Sequence, residues 1–420
     1  MMRSLFSGVA GLKSHQTRMD TVGNNIANVN TVGFKSSRTT FADTLYQTLS
    51  GASGPTGTQG GTNPKQIGLG TGVASIDTIF TDGSVQSTGK NTDLCLSGSG
   101  LFVVKNASGT YYTRDGAFEF DKQGNYVLPG SGLLVQGWTA SGTGASRTID
   151  TTGAAGNIKI QSGQSMAAAS TTTATLSNNL SSATPVNDPA NSVNGTATST
   201  LTAYDSLGNA HQITLTYTKT ASDAWTVKAA AAGTDTTCKA TLGTTNLKFT
   251  TTGAYDTGST IGDLTLTLTN GATGTQTIKL DPSTLTQYSS ESTVKSSADG
   301  NTDGTLKSIS VDSTGTITGT YTNGVTQKEA QVAIAQFNNP AGLTKTGSNL
   351  YQVSNNSGEP NVKGATALGV SITPSALEMS NVDLSNEFSD MIITQRGFQS
   401  NSKIITVSDE MLETLVNMKR

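Results

Sequence analysis

The side chains best suited to acid–base or nucleophilic chemistry are few in this chain of 420 residues and lie far apart. The two histidines, His15 and His211, have no neighbour in the sequence at a spacing that suggests a catalytic triad. Two cysteines, Cys95 and Cys238, are too few and too distant for a disulfide framework or a zinc-finger pattern. No pair of carboxylates stands out as an acid and its base. We therefore expect no catalytic residue, no metal site and no cofactor.

Three short segments resemble ligand-binding loops without meeting their requirements. In GSVQSTGKN, Gly83 and Gly89 are separated by five residues where a phosphate-binding loop has four, and Asn91 replaces the required Ser or Thr. The segments DKQGN at Asp121 and DSTG at Asp312 lack the series of oxygen ligands that a calcium loop uses. Ordinary turns are the expected structure at all three places.

Composition predicts a β-rich chain with thin cores. Hydrophobic residues make up 34% and aromatic residues 5%, and there are 47 glycines. Disorder couples low hydrophobicity to high net charge, but only 13% of the residues are charged and the net charge is −3. The many threonines favour strands, and Gly, Asn and Asp favour the turns between them. The segment GNAHQITLTYT is an example, because His211, Ile213, Leu215 and Tyr217 alternate with polar residues.

Charge and hydropathy exclude two classes of partner. A near-neutral balance argues against nucleic acid, since phosphate binding needs a basic face. No segment approaches the roughly 18 consecutive apolar residues of a membrane-spanning helix, so we expect no membrane insertion. The first residues also lack the apolar core and cleavage site of a secretory signal.

Heptad periodicity distinguishes the two termini from everything between them. The apolar positions of the N-terminal pattern are Leu5, Val9, Leu12, Met19 and Ile26. Those of the C-terminal pattern are Leu384, Phe388, Met391, Phe398, Ile405, Leu412 and Val416. A second stripe of Ile404, Met411, Leu415 and Met418 runs beside the latter. The pattern predicts a helix from about residue 382 to the end, roughly 57 Å long, with Asp383 or Ser385 as its N-cap.

The predicted fold is mainly β, with tandem outer β domains of sandwich or barrel type and long amphipathic α-helices at both termini. Residues 1–30 and 380–420 form the helical domain, and residues 31–72 form an extended linker rich in Gly and Asn. Residues 73–149 and 305–379 form an inner β domain, into which residues 150–304 insert an outer β domain. Because the rest of the chain is β, we predict that the helices pair with each other, with neighbouring subunits, or with both.

Both termini closely resemble the flagellar rod and hook family. The N-terminal match is SGVAGLKSHQTRMDTVGNNIANVNTVGFK, and the C-terminal match is ALEMSNVDLSNEFSDMIITQRGFQSNSKIITVSDEMLETLVNMKR. TGKNTDLCLSGSGLFVV and YYTRDGAFEFDKQGNYVL are similar to the β domain that follows in that family. Length and the inserted β domain favour the hook-forming branch over the distal rod branch.

The resemblance implies a structural subunit that self-assembles into a curved, flexible tube and transmits torque from rod to filament. The heptad positions and Phe34 would then be subunit contacts, with the helices lining an inner tube around the export channel. The implied partners are further copies of the chain, the flagellar rod, the hook cap, the hook–filament junction proteins and the flagellar type III export apparatus. The implied location is the hook, outside the cell, reached without a cleavable signal peptide.

On this resemblance, the segment NNIANVNTVGFK from Asn24 to Lys35 is expected to end the first helix where the chain leaves the inner tube. Asn and Gly33 tolerate left-handed backbone at a helix end, Phe34 is predicted as an anchor, and Lys35 and Arg38 are predicted at a polar rim. Three alternatives to the hook reading stay open: a rod-type protein with an insert, a β-rich surface adhesin, and an enzyme on a β scaffold.

Overall fold

The computed structural model of the chain describes residues 2–55, 57, 59–142, 147–188, 193–233 and 235–418. Strands dominate its described residues, and a long helix lies near each end. The predicted fold class, mainly β with a helix at both termini, is confirmed.

Each terminal helix follows the heptad signal. Helix α1 spans Met2–Ala27 and helix α2 spans Leu384–Asn417. Asp383 is the N-cap of α2, since its carboxylate accepts hydrogen bonds from the backbone amides of Ser385 and Asn386. At 34 residues, α2 is about 51 Å long and slightly shorter than predicted.

Residues 31–72, predicted as an extended linker, contain strands, so that part of the prediction is wrong. The strands here are β1 (Ser37–Asp43), β2 (Tyr46–Ser50), β3 (Lys65–Gly68) and β4 (Thr71–Thr78). Strand β1 pairs antiparallel with β4, and β2 pairs antiparallel with β3, which makes a two-stranded ribbon beside the helices. The threonines and Phe41 of β1 explain the outcome, because β-branched and aromatic side chains pack well on a pleated surface.

The inner β domain begins after the ribbon. Its first strands are β5 (Val85–Ser87), β6 (Leu94–Ser97), β7 (Leu101–Asn106), β8 (Gly109–Thr113), β9 (Glu119–Phe120), β10 (Tyr126–Leu128), β11 (Leu133–Thr139), β12 (Gly156–Asn157) and β13 (Ser165–Met166). The last two fall within the range predicted for the insert. Strand β12 pairs with β11, however, and β13 joins the same large sheet, so the insert begins later than predicted.

The outer β domain is a sandwich of two five-stranded sheets. Its strands are β14 (Thr173–Ser181), β15 (Thr196–Tyr204), β16 (Ala210–Lys219), β17 (Ala224–Ala231), β18 (Cys238–Leu242), β19 (Thr245–Lys248), β20 (Thr260–Ile261), β21 (Leu264–Leu268), β22 (Thr275–Tyr288) and β23 (Lys295–Ala298). One sheet has the order β15-β16-β17-β19-β20 and the other β18-β21-β22-β14-β23. Ile213, Leu215, Tyr217 and Trp225 are fully buried in the core between them, which confirms the predicted alternation along β16.

The chain then returns to the inner domain. The remaining strands are β24 (Gly304–Val311), β25 (Thr316–Tyr321), β26 (Thr326–Val332), β27 (Ile334–Gln336), β28 (Thr344–Gly347), β29 (Leu350–Gln352), β30 (Asn361–Lys363), β31 (Ser371–Pro374) and β32 (Ala376–Glu378). The main path of the large sheet is β13-β24-β25-β26-β11-β7-β8-β29-β28. Strands β31 and β32 pair with β6 and β5. The chain therefore enters α2 beside the place where it left α1. Of the helices the structure describes, none is long and apolar enough to cross a membrane.

Candidate assembly surface

The two terminal helices pack antiparallel through small and polar residues. An ideal Cβ at Gly8 would lie 3.4 Å from Ile405, and one at Gly11 would lie 2.7 Å from the side chain of Asn401. Further along, an ideal Cβ at Gly397 would lie 2.6 Å from the ring of His15. These glycines allow the two backbones to approach closely.

Polar contacts join the C-terminal half of α1 to the N-terminal part of α2. Arg18 lies 3.0 Å from the carboxylate of Asp390. The buried Asn25 donates from Nδ2 to Glu387 at 2.9 Å and to the backbone carbonyl of Ser37 at 2.8 Å. Its Oδ1 accepts from the backbone amide of Ser37 at 3.0 Å. One side chain of the asparagine-rich segment therefore joins α1, α2 and the ribbon.

The seam between α1 and α2 lies one residue before the predicted heptad in both helices. In α1 the seam residues are Gly8, Gly11, His15, Arg18, Val22 and Asn25. In α2 they are Glu387, Asp390, Thr394, Gly397, Asn401 and Ser408. A shift of one residue turns the face of an α-helix by about 100°, so the apolar stripes flank this seam.

The predicted contact residues therefore differ widely in burial. Half-buried positions are Leu5, Val9, Leu12, Met19, Ile26, Met391, Ile405 and Leu412. Exposed positions are Leu384, Phe388, Phe398 and Val416. Phe388 is 50% exposed and Phe398 is 43% exposed. Their contact with neighbouring subunits stays a prediction.

The exposed positions belong to a larger set of exposed apolar side chains along α2, which lie on both flanks of the seam. It consists of Leu384, Phe388, Ile392, Ile393, Phe398, Ile404, Val407, Met411, Leu415, Val416 and Met418, and we call it the α2 apolar surface. The ribbon carries a second set of exposed apolar side chains: Leu45, Tyr46, Leu49, Ile67 and Leu69. Exposed apolar side chains in such number are typical of interaction sites on soluble proteins.

The chain leaves α1 through a turn that fits tightly against the inner β domain. Gly33 has φ +67°, and an ideal Cβ there would lie 2.6 Å from the backbone nitrogen of Asp115. Only glycine combines that conformation with so close an approach. The next residue, Phe34, is buried beside a cavity of about 190 Å³, and the Lys345 ammonium lies 5.1 Å from its ring centroid. Phe34 is thus anchored within its own chain.

Lys35 is not at a polar rim, so that prediction is wrong; Arg38 is exposed as expected. The Nζ atom of Lys35 lies 2.5 Å from Glu378, whose other oxygen lies 3.1 Å from Arg114. All three side chains are at most 1% exposed. Burial lowers the pKa of Lys35, and the Glu378 carboxylate opposes that shift. This cluster joins the segment after α1 to the strand that leads into α2.

The three segments that resemble ligand-binding loops form turns and strands in the structure. Residues 85–87 of the glycine-flanked segment form β5. Asp121 accepts hydrogen bonds from the backbone amides of Gln123 and Asn125, and Asp312 accepts from those of Thr314 and Thr316. Both carboxylates thereby stabilise turns.

The two histidines have different surroundings. Burial, and then the charge of Arg18, lowers the pKa of His15, which packs edge-on against Phe41. No partner of His211 is evident in the sequence, but the structure places two carboxylates beside it. Its Nδ1 lies 2.6 Å from Asp235 and its Nε2 lies 3.4 Å from Asp205. Sheet geometry creates these pairs, which no short motif in the sequence signals.

Comparison with known proteins gives four consecutive family matches. Residues 5–35 match the model "Flagella basal body rod protein", and residues 95–175 match "Flagellar hook protein FlgE/F/G D1 domain". Residues 175–301 match "Flagellar basal body protein FlaE D2 domain", and residues 373–418 match "Flagellar basal body rod FlgEFG protein C-terminal". These matches place the chain among the flagellar rod and hook proteins.

Relatives that match this chain over its full length narrow the class of flagellar protein. The chain is 39% identical over 468 residues to the flagellar hook protein FlgE of Treponema pallidum (strain Nichols), with 100% of both sequences covered. It is 32% identical over 426 residues to the flagellar basal-body rod protein FlgG of Bacillus subtilis (strain 168), again with 100% of both covered. The crystal structure of Helicobacter pylori flagellar hook protein FlgE2 shares the fold, with a TM-score of 0.53 at 15% identity over 70% of this chain and 100% of that one. The chain belongs to the flagellar hook protein family.

Proposed function

We propose that the protein is the structural subunit of a bacterial flagellar hook, which self-assembles into a curved, flexible tube that transmits torque from rod to filament. The observation that carries the proposal is the α2 apolar surface. It lies beside a helix seam that is already closed by small and polar residues, so a second copy of the chain is the natural cover. Membership of the hook protein family supports the same occupant.

Burial of this surface supplies a driving force for assembly. Covering one phenylalanine side chain contributes about 1.5–3 kcal/mol, and Phe388 and Phe398 are each about half exposed. The seam residues leave these side chains on the outer flank of the helix pair. Among the predicted subunit contacts, those on α2 therefore contribute most to assembly, and Phe34 serves as an anchor within its own chain.

We assign four parts to the proposed polymer. The α1–α2 pair lines the inner tube, and the ribbon of β1–β4 stands beside it. The inner β domain forms a surrounding shell, and the outer sandwich of β14–β23 forms the outermost shell. The pairing of β14 with β23 supports this division, because both ends of the insert lie together at one exit from the inner domain.

The partners and the location follow from the proposed role. Further copies of the chain are the main partner, with the flagellar rod, the hook cap and the hook–filament junction proteins at the ends of the tube. The subunit would reach the cell exterior through the flagellar type III export apparatus. No catalytic role is proposed.

Electron microscopy of the purified protein at increasing concentration tests this function. Curved tubes are the expected result. Straight tubes would favour a rod-type protein, a candidate supported by the full-length similarity to FlgG of Bacillus subtilis. A protein that stays monomeric at every concentration would contradict self-assembly and favour a surface adhesin.

A further inference from the structure

One edge of the outer β sandwich brings together three side chains with different metal-binding atoms. His211 lies on β16, Cys238 begins β18, and Asp235 lies in the connection from β17 to β18. One donor atom of each lies within 4.8 Å of the other two. His211 and Cys238 are buried, and Asp235 is partly exposed beside a cavity of about 700 Å³.

Asp205 fixes the orientation of the histidine ring. This fully buried carboxylate accepts hydrogen bonds from Asn209 Nδ2 at 2.9 Å and Asn270 Nδ2 at 2.7 Å, and from the backbone amides of Leu207 and Asn209. Its Oδ2 also lies 3.4 Å from His211 Nε2, which is placed to donate to it. Metal-binding histidines commonly donate their second ring nitrogen to a carboxylate in this way. The other nitrogen, Nδ1, is then directed at Asp235.

The contact between His211 Nδ1 and Asp235 holds either a hydrogen or a metal ion between the two groups. When Nε2 carries the ring hydrogen, the Nδ1 lone pair and the Asp235 carboxylate are both acceptors, yet they lie 2.6 Å apart. Either a proton or a metal ion can bridge them. A proton engages these two groups alone, whereas a metal ion also engages the sulfur of Cys238.

We propose that His211 Nδ1, a carboxylate oxygen of Asp235 and Cys238 Sγ bind one zinc-like divalent metal ion. Nitrogen, oxygen and sulfur are the three donor types that Zn²⁺ accepts, and its fourth position would face the cavity and hold water. Tetrahedral bonds of the usual lengths separate neighbouring nitrogen and oxygen ligands by about 3.3 Å. The His211–Asp235 pair must therefore open by less than about 1 Å, and Cys238 Sγ, which lies within 4.8 Å of both donor atoms, must come to about 3.6 Å from them.

The proposed ion would tie together the two sheets of the outer domain. Strand β16 belongs to one sheet and β18 to the other, so ligands from both are drawn to one centre. Binding to the folded state alone stabilises that state by an amount that grows with the logarithm of the metal concentration. The expected role is structural: the ion would hold the outer shell rigid at the end of the sandwich that carries this cavity.

The test uses the full-length chain, freed of metal with a chelator and titrated with Co²⁺ and Zn²⁺. The expected result is one ion per chain, a thiolate-to-cobalt charge-transfer band, and displacement of Co²⁺ by Zn²⁺. Replacing Cys238→Ala should abolish the band and weaken binding by more than 100-fold. Asp205→Asn, which removes the carboxylate behind the ring but none of the three proposed ligands, should weaken binding about 10–100-fold.

Cys95→Ala is the matched control, because it removes the other buried cysteine, which lies in the inner domain, and should leave the band unchanged. Asp235→Asn keeps a side chain of the same size in the partly exposed connection, and it should weaken binding even if Cys238→Ala fails to fold. Equal Co²⁺ spectra for the wild type and Cys238→Ala would overturn the proposal. So would a folded wild-type chain that binds no ion, leaving His211 and Asp235 as a proton-bridged pair.

Discussion

Trp225 and Phe398 are aromatic residues in regions of opposite character. Trp225 is fully buried between the sheets of the outer β domain, whereas Phe398 is 43% exposed on α2. The outer domain closes its own core, but the helix pair closes only a narrow polar seam and leaves apolar side chains in solvent. The difference separates a domain that is complete within one chain from a helix pair that, as we propose, neighbouring chains complete.

The largest expected loss of stability comes from the outer core. Trp225→Ala should reduce the free energy of unfolding of the outer domain by about 3–5 kcal/mol, because it leaves a large cavity. Calorimetry of the monomer measures this effect. Leu207→Ala removes an apolar side chain that is already exposed in the same domain, so it should change stability by no more than about 0.5 kcal/mol. Similar losses for both variants would contradict a closed core.

The buried charge cluster gives the next test, at the place where both helices join the β domains. Glu378→Ala leaves Lys35 and Arg114 buried without their carboxylate, which should cost about 3–5 kcal/mol in urea unfolding. The control is Glu119→Ala, which breaks an exposed pair with Lys90 and should cost at most about 1 kcal/mol. An equally small effect at Glu378 would mean that the cluster does not hold the junction together.

A smaller effect is expected at the seam between the helices. Gly397→Val places new atoms against the ring of His15 and should destabilise the helix pair by about 1–3 kcal/mol. Helical circular dichroism of the free subunit during heating measures the loss. An ideal Cβ at Gly23 meets no described atom within 4 Å, so Gly23→Ala should raise stability by about 0.5–1 kcal/mol. If Gly397→Val also raised it, the helices would not pack as closely as the structure shows.

Sequence patterns predicted the existence and type of the main elements better than their contacts. The heptads located both helices, and the alternation along β16 located a buried face. The phase of the helix seam was missed by one residue, because close approach of Gly11 and Gly397 decides which faces meet within the chain. Apolar periodicity indicates a face that avoids water, and it does not say whether the cover comes from the same chain.

Polar pairs between residues far apart in the sequence could not be predicted either, because the fold brings the two partners together. Lys35 and Glu378 lie 343 positions apart, and a lysine near a helix end ordinarily indicates a solvated rim. Asp235 lies 24 positions from His211, and only the strand register brings the two together. Such partners follow from the sheet topology, which the order of strands in the sequence does not determine.

The central claim is that neighbouring copies of the chain cover the α2 apolar surface. The measurement that tests it most directly is the critical concentration for tube formation of Phe398→Asp, followed by sedimentation and electron microscopy. Burial of a phenylalanine contributes about 1.5–3 kcal/mol, and an unpaired carboxylate placed there adds a desolvation cost of several kcal/mol. At about 1.4 kcal/mol per tenfold, the critical concentration should rise by at least 100-fold, while the thermal melting of the β domains stays unchanged.

Gln399→Asp, at an exposed position one residue along α2, introduces the same charge and should have a much smaller effect on tube formation. Tubes formed by Phe398→Asp at the wild-type concentration would contradict the claim that subunits bury this surface. Loss of the β-domain melting transition in that variant would also contradict it, because Phe398 would then belong to the core of its own chain.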